Sequence, residues 1–221
     1  LTQTTTSFLC GSENVSFTYN GGSVTYGTVS GNYNGGQYCW LDRNLGATAV
    51  ATASDHVAGY GDLFQWGRGD DGHQIRTPLS GSISTQSSST SPGHSNFITG
   101  SCNWYSGSNP DVLWQGASGI NNPCPIGWRL PTETELNNEM INWSSNNSTG
   151  AINSALHLPL AGSRYWGDGL TINEGSTGNY WNSTFHTSGE HASGLSVSIS
   201  SASVSNGSCK SHGRSVRCIK D

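Results

Sequence analysis

Six cysteines stand far apart along this chain, at positions 10, 39, 102, 124, 209 and 218. No two of them form a Cys-x-x-Cys pair, so the spacing encodes neither a zinc knuckle nor a dithiol redox motif. An even number in a chain rich in Ser, Thr and Gly and poor in Lys reads as three disulfides made in an oxidising compartment. Free buried thiols in a cytosolic protein are the competing reading. Spacing alone leaves about fifteen ways to pair the cysteines.

Composition narrows the function classes. The 221 residues accommodate one large domain or two small ones. Only 10% are charged, and 8 Trp, 8 Tyr and 5 Phe supply the apolar surface that a disordered chain lacks. The 30 Gly, with abundant Ser, Thr and Asn, require many turns on a scaffold. A net charge of −5 without a basic stripe argues against a nucleic-acid partner. No apolar run is long enough to span a bilayer. The chain begins at Leu1 and its one Met is Met140, so an upstream segment, either a cleaved signal peptide or an anchor, is expected.

Local patterns predict the elements. Val15–Tyr19 and Ser23–Tyr26 alternate on either side of Asn20-Gly21-Gly22, a strong hairpin signal. Residues 52–100 read mostly as loop, with a Ser/Thr run at Ser80–Ser91. One helix is predicted from the Thr132/Glu135 capping box, running from Glu133 to about Trp143. Near the end, Leu195, Val197, Ile199, Ala202 and Val204 alternate with serines, which puts an apolar set on the core face and the serines on the other. Val216, Cys218 and Ile219 read as a closing strand.

Catalytic patterns are scarce. His73, His94, His157, His186, His191 and His212 make no i, i+4 pair, and read as loop histidines bonded to backbone or water. Glu135 and Glu139 share a helix face, which reads as solvated with one capping carboxylate rather than as a catalytic pair. Asp42, Asp62, Asp70 and Asp71 are candidates to supply oxygens to a structural calcium ion, although no Asp-x-Asp-x-Asp-Gly loop is present. On these grounds a non-enzymatic protein is expected.

Six segments together carry a family resemblance. They are Tyr38–Ala47 (YCWLDRNLGA), Tyr60–Arg68 (YGDLFQWGR), Asn122–Thr132 (NPCPIGWRLPT), Leu158–Tyr165 (LPLAGSRY), Gly178–Trp181 (GNYW) and Ser215–Asp221 (SVRCIKD). In this order they resemble the Fibrobacter succinogenes major paralogous domain, a family of bacterial surface and secreted proteins, from about Cys10 to Asp221. The GWRLPT element is also similar to the formylglycine-generating-enzyme and C-type-lectin-like folds. The resemblance implies an α+β class: one C-type-lectin-like domain over 1–221, with a small twisted antiparallel sheet, one or two helices, long loops and adjoining termini. Its parts would be a hairpin region (1–39), a loop-rich region (40–131), the helix (132–143) and C-terminal strands (178–221).

In that frame Cys124 pairs with Cys218 and Cys10 with Cys39, which leaves Cys102 for Cys209. The formylglycine-generating enzymes use two late cysteines. Here only Cys209 and Cys218 could serve, and Cys218 is better explained as structural.

Small polar residues fill the outward positions of residues 182–214, as they do in antibody-like paratopes. The resemblance extends to lectin-like proteins whose C-terminal patch is diversified by a retroelement. Adenine-directed changes of Asn codons would yield the residues at Asn182, His186, Ser196, Ser198, Ser203, Ser205, Gly207, Ser208, Cys209 and His212. A varied Cys209 would put its bond to Cys102 in question. An ordinary Ser/Thr-rich solvent face is the alternative.

The predicted ligand-binding set is Tyr180, Trp181, Asn182, His186, Ser196, Ser198, Ser203, Ser205, Ser208, His212 and Arg214. The expected function is recognition of a protein or glycan on another surface, outside the cell or at its surface. A subunit or decoration of a bacterial filament or coat, formed by self-assembly, is the alternative. A formylglycine-generating-type enzyme is a more distant one.

Overall fold

A computed structural model describes residues 8–107, 112–185 and 189–221. Strands β1 (Val15–Tyr19) and β2 (Gly22–Tyr26) form the expected hairpin, with Val15 opposite Tyr26. Asn20 and Gly21 hold φ of 49° and 75°. Two consecutive left-handed residues make the turn type whose twist matches the strands, and Asn-Gly tolerates it best.

The chain then alternates short strands with long connections. Strands β3 (Thr28–Ser30), β4 (Cys39–Leu41) and β5 (Phe64–Gln65) precede a parallel pair, β6 (Ser82–Ile83) and β7 (Phe97–Ile98). Strand β8 (Trp128–Arg129) leads into helix α1 (Glu133–Ile141), and α2 (Ser148–Asn153) follows. After β9 (Ser163–Arg164) and β10 (Thr171–Ile172) come three longer strands, β11 (Thr177–Phe185), β12 (His191–Ser198) and β13 (Ala202–Cys209). Strands β14 (Gly213–Arg214) and β15 (Ile219–Lys220) close the chain. Apart from the parallel β6–β7 pair the sheets are antiparallel, giving an α+β domain held by disulfides.

One four-stranded sheet, ordered β3-β4-β15-β8, joins the two ends of the chain. Ile219 pairs with both Trp40 and Arg129, and the Leu41 amide donates to the Cys218 carbonyl at 3.0 Å. The Phe8 ring meets Trp128 edge-on and lies 5.1 Å from the Lys220 ammonium. Cys10–Cys39 and Cys124–Cys218 staple this region, and Cys102–Cys209 ties the loop after β7 to the end of β13.

The helix begins as its sequence specifies. Thr132 Oγ1 accepts from the Glu135 amide, and the Glu135 carboxylate accepts from the Thr132 amide. It stops at Ile141, two residues before the expected Trp143. A second helix, within the one or two that the resemblance implies but marked by no local pattern read above, follows at Ser148, where the Asn147 side-chain Oδ1 caps the amides of Thr149 and Gly150.

The expectation of a solvated carboxylate face is corrected at Glu139. It is fully buried, and its oxygens accept from the amides of Asn32 (2.7 and 2.8 Å) and Tyr33 (3.2 Å), more than a hundred residues upstream. Burial raises its carboxyl above the usual range, and those amides hold it back.

Two outcomes are expected in denaturant unfolding. Glu139→Ala leaves two amides without a partner and costs about 1–3 kcal/mol, while Glu139→Gln costs less. Removing Cys124–Cys218, which spans 94 residues, costs more than removing Cys10–Cys39, which spans 29. Loop-closure entropy puts the two at roughly 4.5 and 3.5 kcal/mol.

Candidate ligand-binding groove on the C-terminal sheet

Register sorts the three-stranded sheet β11-β12-β13 into two faces. Tyr180, Leu195 and Val204 stand in one row, and Val197 opposes Ala202. These side chains join Leu136, Met140, Leu158 and Leu160 in a core cluster beneath α1. The other face carries Thr177 opposite Ser198, then Asn179, Ser196 and Ser203 in one row, then Trp181, Gly194 and Ser205 in the next. Period-two alternation therefore locates the serine face correctly. It fails at Ile199, which is 76% exposed in the β12–β13 turn rather than on the core face.

The serine face is open at one end and covered at the other. The open end is a groove of about 300 Å³ lined by Ser163, Asn173, Thr177, Asn179, Ser196, Ser198, Ser201 and Ser203, with Val197. That volume is at the small end of the range for ligand sites. A hydrogen-bond chain runs along its floor. Ser196 Oγ donates to Asn179 Oδ1 at 3.0 Å, and Asn179 Nδ2 donates to Thr177 Oγ1 at 3.1 Å. Ser198 Oγ accepts from the amides of Ser200 and Ser201 and so fixes the turn beside it. Ser203 and Ser205 are exposed on β13. No ionisable side chain among the described residues lines this groove.

At the covered end Trp181 is fully buried in a second core cluster with Trp66, Trp114 and Val216, and its indole N–H donates to the Phe64 carbonyl at 2.7 Å. Three predicted binding residues are thus corrected to interior positions, and a fourth is nearly buried beside them. Tyr180 and Trp181 are core residues. Asn182 is fully buried and donates to Ser193 Oγ. Arg214 is 9% exposed and lies over the Trp181 ring at 4.6 Å. The face is covered because the segment 213–215 runs along the β11 edge, with the Trp181 amide donating to the Ser215 carbonyl.

His212 packs its ring on Tyr165 at 5.7 Å, beside the β9–β14 pairing. Ser208 is half-buried and accepts from Arg214. His186 lies outside the described residues. Of the predicted set, Ser196, Ser198 and Ser203 share the groove, with Ser205 next along the same face. Asn179 and Thr177 were missed, although two-residue spacing from Trp181 was the signal that could have found them.

Three of the four candidate calcium-ligating aspartates are engaged by protein partners. Among the described residues no three carboxylates converge on one point. Asp42 pairs with Arg43, and Asp71 with Arg68 and His73. Asp62 accepts from Tyr19, Asn20 and the Arg76 amide. His73 is a loop histidine bonded to the backbone, as expected, but it is not at the surface. It is fully buried, with Nδ1 2.7 Å from Asp71 and Nε2 accepting from the Gln65 amide at 3.0 Å. Since Nε2 accepts, the proton of the neutral ring sits on Nδ1 and points at Asp71.

The one cluster of metal-ligand type among the described residues is Cys102, His191 and Cys209, and both sulfurs are in the disulfide. Comparison with protein-family models, curated proteins and solved structures finds no match.

Burial lowers the His73 imidazole from 6.5 to about 4, and does the same for His212, with Arg214 adding to the shift there. Protonation therefore favours the unfolded chain. This contribution to stability is complete above pH 6.5 and is lost as pH falls toward 4. Thermal melts should show Tm declining through that window, with a shallower decline in His73→Gln. Equal slopes would remove His73 from this role.

Proposed function

We propose that this chain is an extracellular recognition module of C-type-lectin-like architecture, similar to the Fibrobacter succinogenes major paralogous domain, and that its ligand is a glycan bound on the serine face of the C-terminal sheet. The observation that carries this reading is the groove at Asn179, Ser196 and Ser203, lined by hydroxyls and amides without an ionisable side chain. Such groups donate and accept in both directions, as sugar hydroxyls do.

Preorganisation supports the same reading. The floor is tied by the Ser196–Asn179–Thr177 chain, so a ligand meets donors already in place. The sheet beneath is anchored by Tyr180 and Leu195 in the core and by the Cys102–Cys209 bond at its end. Three disulfides accord with an oxidising compartment. No described helix is long and apolar enough to cross a membrane.

An array of immobilised glycans probed with the full chain tests the reading. Asn179→Ala and Ser203→Tyr are expected to weaken binding about tenfold or more, the loss of one or two well-placed hydrogen bonds, with little change in Tm. Binding that ignores both substitutions would overturn the assignment of the groove. Self-association without glycan binding would favour the filament or coat reading.

A further inference from the structure

Four arginines are almost wholly withdrawn from solvent, and three of them are saturated. Arg164 donates to the carbonyls of His73, Ser80 and Gly169 and to the hydroxyls of Ser80 and Ser82. Arg217 donates to Asn44 Oδ1 and to the carbonyls of Leu41 and Leu156. Arg68 donates to Asp71, Gln65 and the carbonyls of His94 and Asn96.

Arg214 is built differently. Its Nη2 donates to Ser208 Oγ, its Nε is buried without a partner, and no described carboxylate pairs with it. A buried guanidinium with most of its fork unused and no counter-charge is costly in a protein interior.

Its placement gives the cost a use. The side chain starts on β14 beside the β11 edge, crosses the Trp181 ring and reaches Ser208 on β13. On the way it passes over Gly194, where an added Cβ would stand 2.8 Å from Nη1. Gly194 is two residues from Ser196 on the same strand, about 7 Å along it. The cation thus lies one residue row beyond the hydroxyl-lined groove, over Gly194. Stacking on Trp181 holds the guanidinium plane in place, so little is lost in orienting it for a ligand.

We propose that Arg214 is an anion subsite, and that the glycan bound on the serine face is an acidic one whose carboxylate or sulfate accepts the unused N–H bonds of Arg214 while its hydroxyls lie along Asn179, Ser196 and Ser203. This rests on reading the groove as a glycan site. Charge-assisted bonds to an oxyanion are the strong kind, and the planar fork fits either group.

The test compares three oligosaccharides of one linkage: glucose, glucuronate and O-sulfated glucose. Affinities are measured by calorimetry for wild type, Arg214→Met and Arg214→Lys. Wild type should prefer at least one acidic ligand over the neutral one by tenfold or more, and the better of the two identifies the anion. Arg214→Met, which keeps the apolar stem over Trp181, should lose the preference yet bind the neutral ligand within about twofold of wild type. Arg214→Lys should keep part of it.

Neutral binding without an acid preference in wild type overturns the subsite and leaves the groove standing. So does a preference that survives in Arg214→Met. Should neither variant fold, glucuronate protection of wild type against thermal unfolding beyond that given by glucose, at matched ionic strength, supports the subsite, and equal protection overturns it. Absence of binding to all three ligands overturns the groove and the subsite together.

Discussion

Buried backbone carbonyls are what this fold must satisfy before anything else. Most of its strands pair over two or three residues, so long stretches of chain enter the interior without a ladder partner. A buried carbonyl left alone costs more than a hydrogen bond gains. The donors come from large side chains. The indole N–H groups of Trp66, Trp104, Trp114 and Trp181 each donate to a main-chain carbonyl 7 to 117 residues away. Arg164, Arg217, Gln65 and Asn121 do the same work in bundles. These residues give the interior directionality that apolar packing lacks, and most of them tie segments far apart in the chain.

This explains which features could be read in the sequence. The hairpin turn, the capping box and the serine alternation are local, since each depends on residues a few positions apart. Glu139 has a helical spacing identical to that of a solvated residue, and only the loop at Asn32 turns it inward. His73 is the loop histidine its sequence suggests, but only the fold shows it buried, with the β5 backbone donating to its Nε2. Periodicity tells two faces of a strand apart, but it says nothing about what lies against each. Trp181 and Asn182 therefore read as surface until the segment around Ser215 is laid along the β11 edge.

The same distinction separates the parts of the C-terminal sheet's serine face that can change from those that cannot. Asn182 is held in the interior, Cys209 is in a disulfide, and Ser198 fixes a turn through its hydroxyl. Substitution at any of these three alters the scaffold. Ser203 and Ser205 stand exposed on β13, with neither hydroxyl bonded to another described residue. They contribute chemistry to the surface and little to the fold. A diversified version of this domain, as the resemblance would have it, is thus expected to concentrate its changes on the exposed β13 positions and to spare Asn182 and Cys209.

Arg214 sits at the junction of these two regimes. By burial and by its contact with Trp181 it belongs to the scaffold, yet its polar end lacks the carbonyls that every other deeply buried arginine has acquired. The indole N–H groups of Trp40 and Trp143 are also buried without partners, but those groups are neutral, whereas Arg214 carries a charge. A methionine of similar length would pack on the indole without the desolvation cost. The cost becomes intelligible if the remaining acceptors arrive with the ligand, and the groove that begins two residues along β12 is where such a ligand would lie.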